Sequence, residues 1–193
     1  SAAAAEFSIS RAGTLVYLPG GLDSQGAVRT IAWIDRKGHE EAIKAEPRAY
    51  FAVRLSPDGT RLALDIRDQK NDIWVWNLAR GTLTPLTFDP AIDGYPVWTP
   101  DSRRVVFGSA RAGSQNLFWQ AADGTGEPER LTTSDHVQFP ASISPDGARL
   151  LLTDRGASDD IGMLSMDKRQ YSALVPTSSA ERNAEVSPDG KWV

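Results

Sequence analysis

The sequence contains no cysteine. Disulfide staples, thiolate metal sites and cysteine nucleophiles are therefore excluded together, while the compartment stays open. Histidine is nearly as scarce, with only His39 and His136 present. His39 lies in His39-Glu40-Glu41-Ala42-Ile43, which lacks the second histidine of a zinc-binding helix. No apolar run approaches the roughly 18 residues that a membrane span requires. Positive charge is not in excess: 21 Lys and Arg face 25 Asp and Glu, for a net charge of -4. Neither nucleic acid nor an anionic membrane surface is offered a basic face, so neither is an expected partner. Walker loops, dinucleotide fingerprints, kinase catalytic words and the Gly-x-Ser-x-Gly elbow are also missing. Gly156-Ala157-Ser158-Asp159-Asp160 comes nearest to the elbow and lacks its last glycine. The acidic groups Asp154, Asp159, Asp160 and Asp89, Asp93 lack the alternate spacing of a calcium loop. No catalysis, metal or cofactor is expected of this chain.

What is present is a folded composition, 40% hydrophobic and 24% charged, with 16 glycines and 12 prolines that call for many turns. One word recurs: Ser56-Pro57-Asp58-Gly59, Thr99-Pro100-Asp101-Ser102, Ser144-Pro145-Asp146-Gly147 and Ser187-Pro188-Asp189-Gly190. A degenerate copy, Ser10-Arg11-Ala12-Gly13, precedes them. The copies stand at an even spacing of about 45 residues, the mark of a repeat architecture. Proline presets the first corner of a type I turn, Asp bonds its own backbone, and Gly accepts a positive φ. Each word thus predicts a hairpin, closed by a three-residue connection and a bulge.

Short apolar strands follow two residues later, at Arg61–Ile66, Arg104–Phe107 and Arg149–Leu152. A second, aromatic-rich class comes next: Thr30–Asp35, Asp72–Asn77, Asn116–Gln120 and, more weakly, Asp160–Leu164. Trp33, Trp74, Trp76 and Trp119 are expected at equivalent positions there, packing between sheets, and Trp98 on an innermost strand. Pro85 cannot serve a central ladder, so the polar strand near Thr82–Thr87 should be an edge. Four antiparallel strands per unit, without helical periodicity, predict an all-β propeller rather than two β-sandwiches, which would not need an evenly spaced word.

The Ser-Pro-Asp-Gly word, the Asp72-Ile73-Trp74-Val75-Trp76-Asn77-Leu78 strand and the Leu86-Thr87 that follows resemble the WD-like repeats of TolB-type propellers. The stretches 72–90 and 95–109 resemble the arrays on the extracytoplasmic side of some bacterial serine/threonine kinases. The resemblance implies a non-catalytic scaffold that binds protein or peptide partners, such as the sensor region of a membrane-tethered kinase. The alternative it admits is the non-catalytic gating propeller of a prolyl oligopeptidase-like serine peptidase whose catalytic domain lies elsewhere. A periplasmic or extracytoplasmic location is implied by the resemblance alone.

Residues 1–6, Ser1 to Glu6, read as a cloning scar, and blades are expected at 7–46, 47–92, 93–136 and 137–180, with a partial fifth at 181–193. Four blades and a fragment make an incomplete ring, so a homodimer through open blade edges is expected. In such a fold, binding falls at the channel mouth and its loops. The residues entering the innermost strands are Arg48 and Tyr50, Asp93 and Tyr95, His136 and Gln138, and Arg182 and Asn183. Loops 68–71, 111–115 and 156–159 should share their face.

Overall fold

The computed structural model describes residues 7–9, 14–19, 27–175 and 179–193. The degenerate word at 10–13 and residues 1–6, expected as a scar, lie outside the described residues. Every regular element among the described residues is a strand. The first sheet holds β1 (Phe7–Ile9), β2 (Leu15–Tyr17), β3 (Ala32–Ile34) and β4 (Glu40–Ala42). The second holds β5 (Tyr50–Leu55), β6 (Arg61–Arg67), β7 (Asn71–Asn77) and β8 (Thr82–Pro85). The third holds β9 (Asp93–Trp98), β10 (Arg104–Ser109), β11 (Asn116–Ala121) and β12 (Glu129–Arg130). The fourth holds β13 (Val137–Ile143), β14 (Arg149–Arg155), β15 (Asp159–Ser165) and β16 (Gln170–Val175). Each is a meander with strands in chain order. These are the four-stranded blades of a β-propeller, and Pro85 ends on an edge strand as its missing N–H requires. The chain divides into two compact units, Ser1–Pro96 and Val97–Val193.

The repeated word builds the same corner four times. Ser56 Oγ donates to Asp58 Oδ1 at 2.6 Å and accepts from Arg61 N at 3.0 Å. Asp58 Oδ1 also accepts from Thr60 N at 3.0 Å. Gly59 N donates to Ser56 O at 2.8 Å, and Ser56 N to Arg61 O at 2.8 Å. Four residues, not three, therefore lie between the bonded pair, because the serine hydroxyl takes over a backbone partner. Thr99 and Asp101, Ser144 and Asp146, and Ser187 and Asp189 repeat the hydroxyl-to-carboxylate bond at 2.6, 2.5 and 2.6 Å. The φ angles of Gly59, Gly147 and Gly190 are 72°, 74° and 73°, and Ser102 takes 59° in the glycine's place. The serine hydroxyl and a backbone N–H hold the Asp146 and Asp189 carboxyls below their ordinary pKa. In the last copy the corner stands without assigned strands around it.

Adjacent blades within each unit bury the apolar faces. In the first unit, Val16 and Ile31 meet Leu62, Leu64 and Trp76, with Trp33 and Trp74 against them. In the second, Val106 and Leu117 meet Leu150, Leu152 and Leu164, with Trp119 against them. Fully buried leucines such as Leu62, Leu64 and Leu150 each contribute about 2 kcal/mol of burial. A matching polar tie occurs in both units: Leu55 N donates to Ser8 Oγ at 3.1 Å, and Val186 N to Ser142 Oγ at 3.0 Å.

The tryptophans depart from the expected equivalence. Trp74 and Trp76 pair with Leu64 and Leu62, on one face of their sheet, and Val75 pairs with Ala63 on the other. Trp119 pairs with Val106, the counterpart of Ala63 after the corner, so it takes the position of Val75. A one-residue change in register reverses the face of every side chain along a strand. Trp98 is buried in β9.

Candidate functional site

The starts of the first strands do meet the loops between second and third strands. Arg48 pairs with Asp68 at 2.6 Å and stacks on the Trp74 ring at 4.5 Å. Asp68 Oδ1 accepts from Ala49 N at 2.9 Å, so the loop is fastened to the strand that follows Arg48. Gln138 N donates to Gln115 O at 2.8 Å, and Glu181 N to Asp159 O at 2.7 Å. Arg182 forms an ion pair with Asp159, a carboxylate that Arg155 also holds, at 2.9 Å. Those guanidinium groups keep the Asp159 carboxyl below its ordinary range.

Of the eight residues expected at the mouth, Tyr50, Asp93 and Gln138 are buried instead. Tyr50 and Gln138 pair across the ladder with Ile66 and Asp154 and so point into the clefts between blades. Burial drives the Tyr50 hydroxyl up to about 12, and it donates to Glu46 O at 2.7 Å. His136, Arg182 and Asn183 are exposed, and Asn183 has a left-handed φ of 58°. Tyr95, at φ 60°, sits edge-on to Phe51 with ring centroids 5.6 Å apart. The guanidinium of Arg67 lies 3.2 Å from the Phe51 centroid and grips the fully buried Asp65 through Nε and Nη2, both at 3.0 Å. Asp65 also accepts from Tyr95 N at 3.1 Å. Phe51, Asp65 and Arg67 went unmarked in the sequence, where they look like ordinary strand residues.

In the second unit a cavity of about 540 Å³ opens along one face of the fourth blade, with Thr132, His136, Gln138, Asp154, Arg169 and Tyr171 on its walls. Asp154 is the hub. It takes His136 Nδ1 at 2.7 Å and Gln138 Nε2 at 2.8 Å. The Tyr171 phenol is raised above its ordinary pKa by burial and by the Asp154 carboxylate. The His136 ring rests on Gly156 and the Tyr171 ring on Gly162, at positions where a Cβ would collide with either ring. Opposite them, Arg169 stacks on Trp119 at 4.5 Å and bonds Glu129 at 2.9 Å. His136 and Gln138, expected at the channel mouth, lie on the wall of this cavity. Asp154 was set aside with its acidic neighbours, and Tyr171, Arg169 and Gly162 went unmarked because only a blade-to-blade alignment exposes them. Among the described residues no group of three or more His, Asp or Glu could hold a metal ion.

The family model for the TolB beta propeller domain matches residues 24–193. The Tol-Pal system protein TolB of Wolinella succinogenes is 25% identical over 163 residues, 81% of this chain and 38% of that protein. An uncharacterized peptidase of Bacillus subtilis, YuxL, is 24% identical over 186 residues, 72% of this chain and 28% of that protein. The crystal structure of TolB from Acinetobacter baumannii superposes with a TM-score of 0.79 at 23% identity, covering 96% of this chain and 46% of that one. The chain therefore spans less than half the length of each of these relatives.

Proposed function

Because the chain belongs to the TolB beta propeller domain family, we propose that it is a non-catalytic scaffold that binds a protein or peptide partner. In each unit, taken by itself, the docking surface consists of the first-strand starts and the second-to-third-strand loops. One observation carries this reading: these two sets of residues are fastened to each other, Arg48 to Asp68 and Arg182 to Asp159. A rigid frame thereby presents Arg182 and Asn183 to solvent. Arginine held in place is a frequent anchor of protein recognition, since little rotamer entropy remains to be lost on binding. Within a longer protein such a unit would hold a partner beside whatever domain adjoins it, the kinase-linked arrangement being one case. Self-association through open blade edges belongs to the same reading, supported by Phe7 and Ile9, 48% and 58% exposed on the edge strand β1. Light scattering that reports a monomer at every concentration removes that part.

The test is selection of binding peptides from a random library, with affinity read by fluorescence anisotropy. Arg182→Ala with Asn183→Ala is expected to weaken the selected peptides at least tenfold, and Arg80→Ala, in the β7–β8 turn, to leave them unchanged. Peptides indifferent to the first pair and sensitive to the second would place binding elsewhere. The likeness to the YuxL peptidase favours a second reading, a gating propeller beside a hydrolase domain. A Gly-x-Ser-x-Gly elbow in the same reading frame would decide for it.

A further inference from the structure

We infer that the cavity of the fourth blade is a binding site for a small zwitterionic amino compound, an amino acid or dipeptide, held through its ammonium and carboxylate ends. The inference goes beyond the docking face: Arg182 and Asn183, which carry that reading, lie outside the cavity, and the two share only the first-strand residues His136 and Gln138.

The molecule contains its own control. The second and fourth blades align without a gap from Arg48 and His136 to Tyr95 and Asn183, and their ladders share a register. Trp74 pairs with Leu64 as Gly162 pairs with Leu152. Tyr50 pairs with Ile66 as Gln138 pairs with Asp154. In the second blade this space is filled by Tyr50 and Ile66, 2% and 1% exposed, with Trp74 packed against the cluster they belong to. In the fourth blade glycine, glutamine and aspartate take those three positions; the Tyr171 ring covers Gly162 where the sister blade has its indole, and a cavity remains beside it. Packing alone gives no reason to place Asp154 and Gln138, 6% and 2% exposed, where the sister blade places Ile and Tyr, because buried polar groups are costly unless they are used.

Two side chains of the cavity wall each carry one buried polar atom without a partner among the described residues. The Asp154 carboxylate fixes Gln138 with Nε2 towards it, so Oε1 is left as a buried acceptor with no hydrogen-bond partner among the described residues. Arg169 bonds Glu129 through Nη2, and its Nη1 is a buried donor with none. A ligand that brings a donor to the first and an acceptor to the second satisfies both once the Gln138 amide and the Arg169 guanidinium turn towards the cavity. Charge agrees with that orientation. Asp154 and Asp160 line the cavity, and His136 joins Asp154, while the guanidinium of Arg169 is balanced by Glu129. The Asp154 end therefore favours an ammonium, and the guanidinium, with its planar fork, suits a carboxylate. Strain points the same way. Arg169 holds φ 54° where the second blade has Gly81 at 62°, a conformation unfavourable for a side-chain-bearing residue and often kept at ligand sites. The volume lies within the range of small-molecule pockets.

The test is calorimetric titration with dialanine, N-acetyl-dialanine and dialanine amide. Wild type is expected to bind dialanine saturably and each blocked form at least tenfold more weakly. Arg169→Gly, which installs the sister-blade residue, is expected to raise the melting temperature while weakening dialanine at least tenfold. The triple change Asp154→Ile, Gly162→Trp and Tyr171→Leu rebuilds the filled blade and is expected to abolish binding; should it fail to fold, Arg169→Gly and the blocked peptides decide. Arg182→Ala is expected to leave dialanine binding intact, which separates this site from the docking face. Absence of saturable binding to wild type, equal affinity for the blocked forms, or unchanged affinity in Arg169→Gly would overturn the inference.

Discussion

Ser144→Ala removes one oxygen from one corner, and its cost can be worked from the bonds that oxygen makes. Ser144 is fully buried. Its hydroxyl donates to Asp146 Oδ1 at 2.5 Å and accepts from Arg149 N at 2.9 Å. At about 1 kcal/mol net for each bond, with some further cost for an N–H left unpaired, the loss is about 2–3 kcal/mol. Ser187 makes the same two bonds at 2.6 and 3.0 Å but in an exposed corner, where water replaces the lost partner. Ser187→Ala should therefore cost about 0.5–1 kcal/mol. Urea unfolding followed by tryptophan fluorescence reads both variants. For a chain of this length the buried substitution corresponds to a fall in melting temperature of about 4–12 °C. Equal losses at the two corners, or less than about 0.5 kcal/mol at Ser144, would refute the claim that the hydroxyl serves as a buried backbone substitute.

Arg67→Ala should cost about 3–5 kcal/mol, because it strands the fully buried Asp65 carboxylate; equilibrium urea unfolding measures it. Gly162→Ala should destabilise by about 1–3 kcal/mol through overpacking against the Tyr171 ring, and a double-mutant cycle with Tyr171→Ala should recover most of that loss. The Asp101, Asp146 and Asp189 carboxyls are held below their ordinary value of 3.8 by hydroxyl and backbone donors. Their contribution is complete above that value and is lost as pH falls through the lower folded-state values, so acid unfolding should begin below about pH 4; Asp146→Asn should flatten that slope. The Tyr50 hydroxyl, raised from 10.0 to about 12 by burial, gives the opposite sign: stability is full below pH 10 and falls as pH rises towards 12. Tyr50→Phe should blunt that alkaline loss, as a series of melts at rising pH would show.

The corners and strands were legible because each depends on chemistry within a few residues: proline at one turn position, Asp beside it, a residue of positive φ after it. The edge position of Pro85 was legible for the same reason. The face occupied by Trp119 was not, because it depends on a single residue of register between β10 and β11, which composition does not record. Tyr50 and Gln138 were read as entrances when they are walls, since the direction of a side chain at a strand start follows from cross-strand pairing with Ile66 and Asp154. The cavity beside the Tyr171 ring left a trace in the sequence, Gly162 in place of a tryptophan in an otherwise aromatic strand class, but the trace reads as weak repetition until the partner strands are known.

The hydrogen bonds of each corner's hydroxyl and aspartate reach no farther than five residues along the chain, from Ser56 to Arg61 in the first full copy. Closing so short a loop sacrifices little chain entropy, whereas bringing one blade against the next must order many intervening residues. A hairpin can thus settle its alignment while the remainder of the polypeptide is still unstructured. Errors in strand pairing are then corrected locally, and the slow events left to the molecule are the dockings of whole blades.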